Sequence, residues 1–239
     1  MTLNRVNTSD LVAERIVEMI FAGELRAGGR IDLDAIGEHL GVSRAPVREA
    51  LLALQRDGIV EMPFHRGAFV GAFDAGTVRE AFELYALLSA LTAARVARRR
   101  PPEVLAELDE AAARAGAAAG TVEFEVAARE FRRLINVAAG GPHLRALVRT
   151  FGGLVPVASR LAIEGSLDEE RAAVGETHAA IADGDPDRAS AATIAHIRRL
   201  GERAVATLRD RGVIDSDDEG DTDPDLELLL GALDRRGDA

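Results

Sequence analysis

Apolar residues along this 239-residue chain recur mostly at three- and four-residue spacing, the period that buries one face of a helix. The first stripe is Leu11, Val12, Ile16, Met19 and Ile20, with Ser9 or Asp10 placed to cap it and Gly23 to stop it. A glycine-rich turn, Leu25 to Ile31, leads through a short extended piece to a second helix over Ile36 and Leu40, capped by Asp32 or Asp34. Gly41 can turn into the left-handed region and end that helix, and Ser43 can cap the next through its hydroxyl. Val47, Ala50, Leu51 and Leu54 stripe a third helix, which Asp57-Gly58 ends. The period then changes. Ile59-Val60-Glu61-Met62 and Ala68-Phe69-Val70 read as two strands around Pro63-Phe64-His65-Arg66-Gly67, a β-hairpin with a basic tip.

Beyond a short linker the pattern is helical throughout, with no strand period. Residues 77–100 predict one long helix with Val78, Phe82, Tyr85, Leu88, Leu91 and Val96 on its apolar face, halted by Pro101-Pro102. Further blocks fall at 103–118, 121–139, 142–163, 167–183 and 186–212, separated by glycines and Gly-Pro or Asp-Pro steps. The expected fold is mainly α. It comprises a winged helix-turn-helix over 1–72, a linker at 73–76, an antiparallel all-α bundle of about six helices over 77–212 and a tail at 213–239. A chain of this length can give each domain its own core.

Composition narrows the functions. There is no cysteine, hence no disulfide framework and no thiolate metal site. No apolar run is long enough to span a bilayer and no basic, apolar secretion signal opens the chain, so a cytoplasmic protein without a membrane partner is expected. Aromatic residues are 4% with no tryptophan, which argues against stacking platforms for single-stranded nucleic acid. All 29 basic residues are arginine, and the net charge of −11 is concentrated in the tail: residues 213–239 contribute −8, residues 1–72 only −2. DNA affinity must therefore come from arginines focused on one face.

The third helix supplies such a face. Opposite its apolar stripe stand Arg44, Ala45 and Arg48. Two arginines one turn apart near a helix N-terminus can reach a phosphate and a guanine edge in a major groove, while the first-turn amides favour an anion. Arg66 and the Gly67 backbone, at the hairpin tip, can enter the adjacent minor groove or touch phosphate. His65 reads as a surface histidine that can add to that contact.

Residues 11–71 resemble the DNA-binding domain of the GntR family of bacterial transcriptional regulators. The resemblance is carried by Gly41-Val42-Ser43-Arg44-Ala45-Pro46-Val47-Arg48-Glu49-Ala50-Leu51, then Leu54, Asp57-Gly58, and Arg66-Gly67 with Val70. It implies that Ser43, Arg44, Ala45, Arg48 and Gly67 approach an operator, and Arg66 joins them on charge and position. Asp34 stands where some members carry a basic DNA contact, so the second helix is not expected to make one.

The helical block resembles the FCD effector domain of the FadR-like subfamily, through Phe131, Ala138-Ala139-Gly140, Ala180-Ile181, Gly184-Asp185, Ala189 and His196. Many such domains hold a divalent metal with an aspartate and a histidine one helical turn apart plus two further histidines. In this chain the matching positions are Ala128, Arg132 and Val174, and only His196 is kept. A shifted site would have His178 and His196 facing Arg132 and Asn136, which is no cation site, so neither a metal nor another cofactor is expected.

Arg132 in a former ligand position can bind a carboxylate bidentately without a metal. The alternatives are that it pairs with Glu125 or Glu176, or points to water with Arg133. Tyr85 and Ser89 replace an arginine and a glutamate common along the first bundle helix. The candidate effector pocket is therefore Tyr85, Arg132, Asn136, His178 and His196, for a small anionic, carboxylate-bearing effector.

Asp215 to Asp225 is acidic and poor in apolar residues and is expected to be disordered. Leu226-Glu227-Leu228-Leu229-Leu230 through Arg236 reads as a short apolar helix that Asp223 can cap. That helix can dock on the bundle or a partner and the acidic stretch can compete with DNA, but a solubilising tail is the simpler expectation.

These features read as an effector-responsive repressor that binds a palindromic DNA operator as a homodimer. The rivals are a non-DNA interaction protein and a helical-bundle enzyme. Against the enzyme stand the scattered histidines His39, His65, His143, His178 and His196, with no nucleophile, base and orienter constellation.

Overall fold

Helix α1 (Thr8–Phe21) buries Val12, Ile16, Val17, Ile20 and Phe21, while Leu11, expected in its stripe, is 52% exposed. The helix is already under way at Ser9, which is buried in its first turn, so neither Ser9 nor Asp10 caps it. The computed structural model describes residues 8–64, 66–71, 74–163 and 165–214. The lead-in before Thr8, His65 and the tail from Asp215 onward lie outside the described residues.

Strand β1 (Arg30–Ile31) is followed by α2 (Leu33–Leu40), and of the two candidate caps it is Asp32 whose Oδ1 accepts from the amides of Asp34 (2.9 Å) and Ala35 (3.2 Å). Gly41 ends α2 at φ 66°, a left-handed conformation open to glycine at no steric cost. Helix α3 (Arg44–Arg56) buries Val47, Ala50, Leu51 and Leu54, the four residues of its predicted stripe. Ser43 occupies its N-cap position, but the exposed hydroxyl makes no capping bond, contrary to expectation. The first-turn amides of α3 are thus left without a side-chain cap.

The wing is β2 (Val60–Glu61) and β3 (Ala68–Val70), antiparallel with Val60 opposite Val70 and Glu61 opposite Phe69. On its other edge β3 pairs with β1, Arg30 opposite Phe69 and Ile31 opposite Ala68, so the extended piece before α2 completes a three-stranded sheet.

Seven helices follow among the described residues. Helix α4 (Ala75–Arg99) starts two residues before the predicted position because Asp74 Oδ1 accepts from the Thr77 amide (2.7 Å) and hydroxyl (2.8 Å). Next come α5 (Pro102–Ala117) and α6 (Thr121–Ala139). The block predicted at 142–163 divides into α7 (Pro142–Thr150) and α8 (Leu154–Ile163), bent 60° apart. The break has a tertiary cause: a Cβ on Gly153 would lie 2.9 Å from Leu54 Cδ2 and 3.0 Å from Asp57 Oδ2, so the turn is pressed against the end of α3. Helices α9 (Leu167–Asp183) and α10 (Pro186–Asp210) complete the bundle, the latter capped by Asp185.

Helix α10 runs along α4 and touches α8 and α9, while α5 packs on α6 and α9. The buried apolar residues do not separate into two cores as expected: one cluster runs from Val12 through Leu54 and Val155 to Ile214. The cause is the packing of α1 on α8, which joins the winged head to the bundle. Among the described residues no single helix is long and apolar enough to cross a membrane.

Candidate nucleic-acid interface and the bundle cavity

The N-terminal end of α3 presents Ser43, Arg44, Ala45 and Arg48, all exposed, and the wing exposes Arg66 and Gly67. Arg44 is not a free cation. Its Nε and Nη2 donate to the two carboxylate oxygens of Asp34 on α2, a fork-to-fork pair. The hydrogen bond from Arg44 holds the Asp34 carboxyl below its usual range. A residue that spelled a missing basic contact in the sequence thus has a definite role in the structure: it aims the arginine of α3. The end-on Nη1/Nη2 edge of Arg44 is left outside this pair.

Sequence reasoning missed Arg30. The β1–β3 register brings it beside the wing, where a Cβ on Gly67 (φ 93°) would lie 3.6 Å from Arg30 Nε. No local signal marked that residue, because only the sheet puts it there.

Inside the bundle, a partly open cavity of about 30 Å³ is lined by α4, α6, α9 and α10, room for roughly one or two waters. Of the five residues expected to form a pocket, Arg132, Asn136 and His196 line it. Tyr85 does not; it stands in the cleft between head and bundle with its ring 5.8 Å from that of Phe151. His178 does not either. Val174 and Thr177 turn inward, whereas His178 faces α5, its Nε2 2.6 Å from Asp109 Oδ1, because α9 is covered by α5 on that side.

The cavity wall is richer in hydroxyls than expected. Thr92 Oγ1 donates to the Ser89 carbonyl (2.7 Å) and lies 2.8 Å from the Asn136 side-chain amide. Thr177 and Thr193 add two more hydroxyls, and the buried Ser89 Oγ has no hydrogen-bond partner among the described residues. Arg132 is half-buried and forms no ion pair among the described residues. Neither anticipated carboxylate holds it: Glu125 pairs with Arg129 and Arg160, and Glu176 with Arg188.

His196 is buried, and its Nε2 lies 2.7 Å from Oε2 of Glu170, a carboxylate 2% exposed. Glu170 Oε1 accepts from Arg203 Nη1 (2.8 Å), and Arg203 also reaches Glu169. Glu170 was absent from the sequence reading; its sole local sign was an acidic first turn in α9. The remaining positions where related domains place metal ligands hold buried Ala128 and Val174 and the guanidinium of Arg132. Such a donor set does not fit a divalent cation, and His196 already has a carboxylate partner.

Head and bundle are joined by charge as well as by core packing. Arg160 of α8 reaches Glu18 (2.6 Å) and Glu14 (3.4 Å) of α1 and Glu125 (3.3 Å) of α6. Arg129 of α6 bridges Glu14 and Glu125, each at 3.0 Å. At the neighbouring contact, burial raises the Asp57 carboxyl to about 6, against the opposing pull of Arg56.

Comparison with known proteins agrees with this architecture. Residues 8–70 match the bacterial regulatory proteins of the gntR family, and residues 80–199 match the FCD domain. An uncharacterized HTH-type transcriptional regulator of Mycobacterium tuberculosis is 34% identical over 209 residues, covering 87% of this chain and 86% of its own. LutR of Bacillus subtilis, an HTH-type transcriptional regulator, is 40% identical over 63 residues, 26% of this chain and 29% of its own. In fold, the chain is similar to E. coli McbR/YncC (TM-score 0.63, 22% identity, 87% of this chain and 99% of that one). It is also similar to Lar of Listeria monocytogenes (TM-score 0.56, 19% identity, 86% and 98%). A winged head with an exposed arginine face, continuous with an all-α bundle and matched along both parts, identifies this chain as a member of the GntR family with a C-terminal FCD domain, a DNA-binding transcriptional regulator and not an enzyme.

Proposed function

We propose that the protein is a homodimeric repressor of a palindromic operator, released by a small anionic effector. The observation that carries the DNA reading is the Asp34–Arg44 fork at the exposed N-terminus of α3. With Nε and Nη2 held by Asp34, the end-on edge of Arg44 suits the O6 and N7 of a guanine, and Arg48 one turn on reaches the backbone. Ser43, Ala45, Arg66 and Gly67 complete the contact surface, and Arg30 beside Gly67 adds a cation at the wing. Leu84 and Leu91, two turns apart on α4 and 39% and 44% exposed, offer an apolar seam for a second copy.

The effector reading rests on Arg132, which among the described residues has no carboxylate partner and lines a cavity together with Ser89, whose hydroxyl has no partner among those residues either. The free volume of about 30 Å³ favours a carboxylate of few heavy atoms. Differential affinity for two head spacings is all that release from DNA requires.

Binding to the duplex upstream of the protein's own gene, followed across a salt series, tests the DNA reading, and a genome-wide selection supplies the site if that duplex holds none. Wild type should bind tightly with a steep loss in salt, and Arg44→Ala with Arg48→Ala should abolish binding. Salt-insensitive binding, or full affinity in the double variant, overturns it. For the effector, titration with a series of small monocarboxylates should release DNA from wild type but not from Arg132→Ala, and an unchanged response in that variant sinks the capture mechanism.

A further inference from the structure

Between the winged head and the bundle lies a cleft of about 1170 Å³. One wall is α7, which has no buried residue: Leu147 is 52% exposed, and Val137 on nearby α6 is 47% exposed. The cleft is lined by six arginines against four carboxylates, a net positive surface in a chain of net charge −11. Four of those cations, Arg56, Arg132, Arg145 and Arg149, form no ion pair among the described residues. An uncovered apolar helix face flanked by unpaired arginines calls for an occupant that is both acidic and amphipathic.

The chain itself supplies one. Residues 215–239 carry ten acidic residues against two arginines, and Leu226, Leu229, Leu230 and Leu233 recur at the spacing of one helix face. A helix of ten residues is roughly 15 Å long and 10 Å across, about 1200 Å³, close to the free volume of the cleft. Reach is sufficient. Helix α10 runs antiparallel to α4, as the Arg79–Glu202 pair near its C-terminal end shows, so it ends on the side of the bundle that meets the head. Leu200 lines the cleft, and the described chain ends at buried Ile214, four residues past α10. From there, 25 residues can span up to about 80 Å when extended.

We propose that residues 215–239 dock in this cleft of their own chain, with the leucine stripe on Leu147 and Val148 of α7 and the acidic residues facing Arg56, Arg145 and Arg149. The tail is then an internal ligand of the head–bundle joint, in a cleft that lies away from the exposed N-terminal end of α3 and shares Arg132 and Asn136 with the bundle cavity.

The absence of native cysteine permits a direct test in the full-length chain. Leu147→Cys is combined in turn with Leu226→Cys, Leu229→Cys, Leu230→Cys and Leu233→Cys, and disulfide formation under mild oxidant is followed by non-reducing electrophoresis and mass spectrometry. Glu103→Cys, exposed at the start of α5 on the far end of the bundle, replaces Leu147→Cys as the control. The expected result is that at least one tail position links to 147 within one chain ten-fold or more faster than to 103, and that added Arg145→Glu with Arg149→Glu slows this link about ten-fold. Rates equal to the control, rates indifferent to charge reversal, or links formed only between two chains each overturn the proposal; the last would place a second copy's tail in the cleft.

Discussion

Glu170→Ala removes the carboxylate at the centre of the buried network and tests whether that network holds the bundle together. Glu170 is 2% exposed and accepts from Arg203 at 2.8 Å while its other oxygen meets His196 at 2.7 Å. Truncation deletes two charge-assisted hydrogen bonds, leaves His196 Nε2 without its partner and opens space beneath the cavity. Arg203 keeps Glu169, so the guanidinium is not stranded. Breaking a buried pair from one side typically costs about 3–5 kcal/mol, a large share of a stability of roughly 5–15 kcal/mol. At this chain length that corresponds to a fall in Tm of roughly 6–20 °C. Glu170→Gln keeps the shape and can still accept from Arg203 while donating to His196, so about 1–2 kcal/mol is expected. Urea unfolding at pH 7 followed by far-ultraviolet circular dichroism measures both, and the continuous core leads to the expectation of a single transition. A loss below about 1 kcal/mol for Glu170→Ala would refute the view that this network fastens α9 to α10.

Three further outcomes follow from named contacts. Asp57, whose carboxyl is raised to about 6 by burial, still holds its proton between about pH 4 and 6 when the unfolded chain has lost it, so stability falls as pH rises through that window. Asp57→Asn should match wild type at pH 4 and, discounted for partial exposure, exceed it by about 1 kcal/mol at pH 8; a constant difference across pH would contradict the assignment. Arg160→Met should destabilise the chain by about 1–2 kcal/mol at low salt, with the difference shrinking in high salt, and a salt-independent loss would place the effect in packing. Gly153→Ala, which puts a methyl 2.9 Å from Leu54 Cδ2, should cost about 1–3 kcal/mol and loosen the head; an unchanged Tm would show that the α7–α8 turn yields.

Much of the fold was legible because its signals are local. The stripe Val47, Ala50, Leu51 and Leu54 names the buried face of α3 whatever that face meets, and Asp32 and Gly41 act on the backbone within a few residues. The candidate site was legible only in part. Arg132 and His196 were found because the resemblance to FCD domains marks their positions as ligand positions, and Asn136 because it lies one turn beyond Arg132 on the same helix face. His178 was misplaced because spacing does not say which neighbouring helix covers that face, and the neighbour proved to be α5 with Asp109.

The sequence by itself determined the helical periods, the Asp32 cap and the Gly41 stop of the second helix, the period-two wing and the arginine-bearing third helix, since each depends on residues a turn or two apart. Tertiary structure alone decided that Asp34 holds Arg44, that Glu170 joins His196 to Arg203, that Arg30 stands beside the wing, and that α7 and α8 part at Gly153. Those pairings link residues 10 to 99 positions apart, and chain folding selects such partners through the packing of whole helices against one another. A single continuous core has the same origin: α1 could have closed a separate head, but its apolar face also meets α8, and burying that surface favours one body over two.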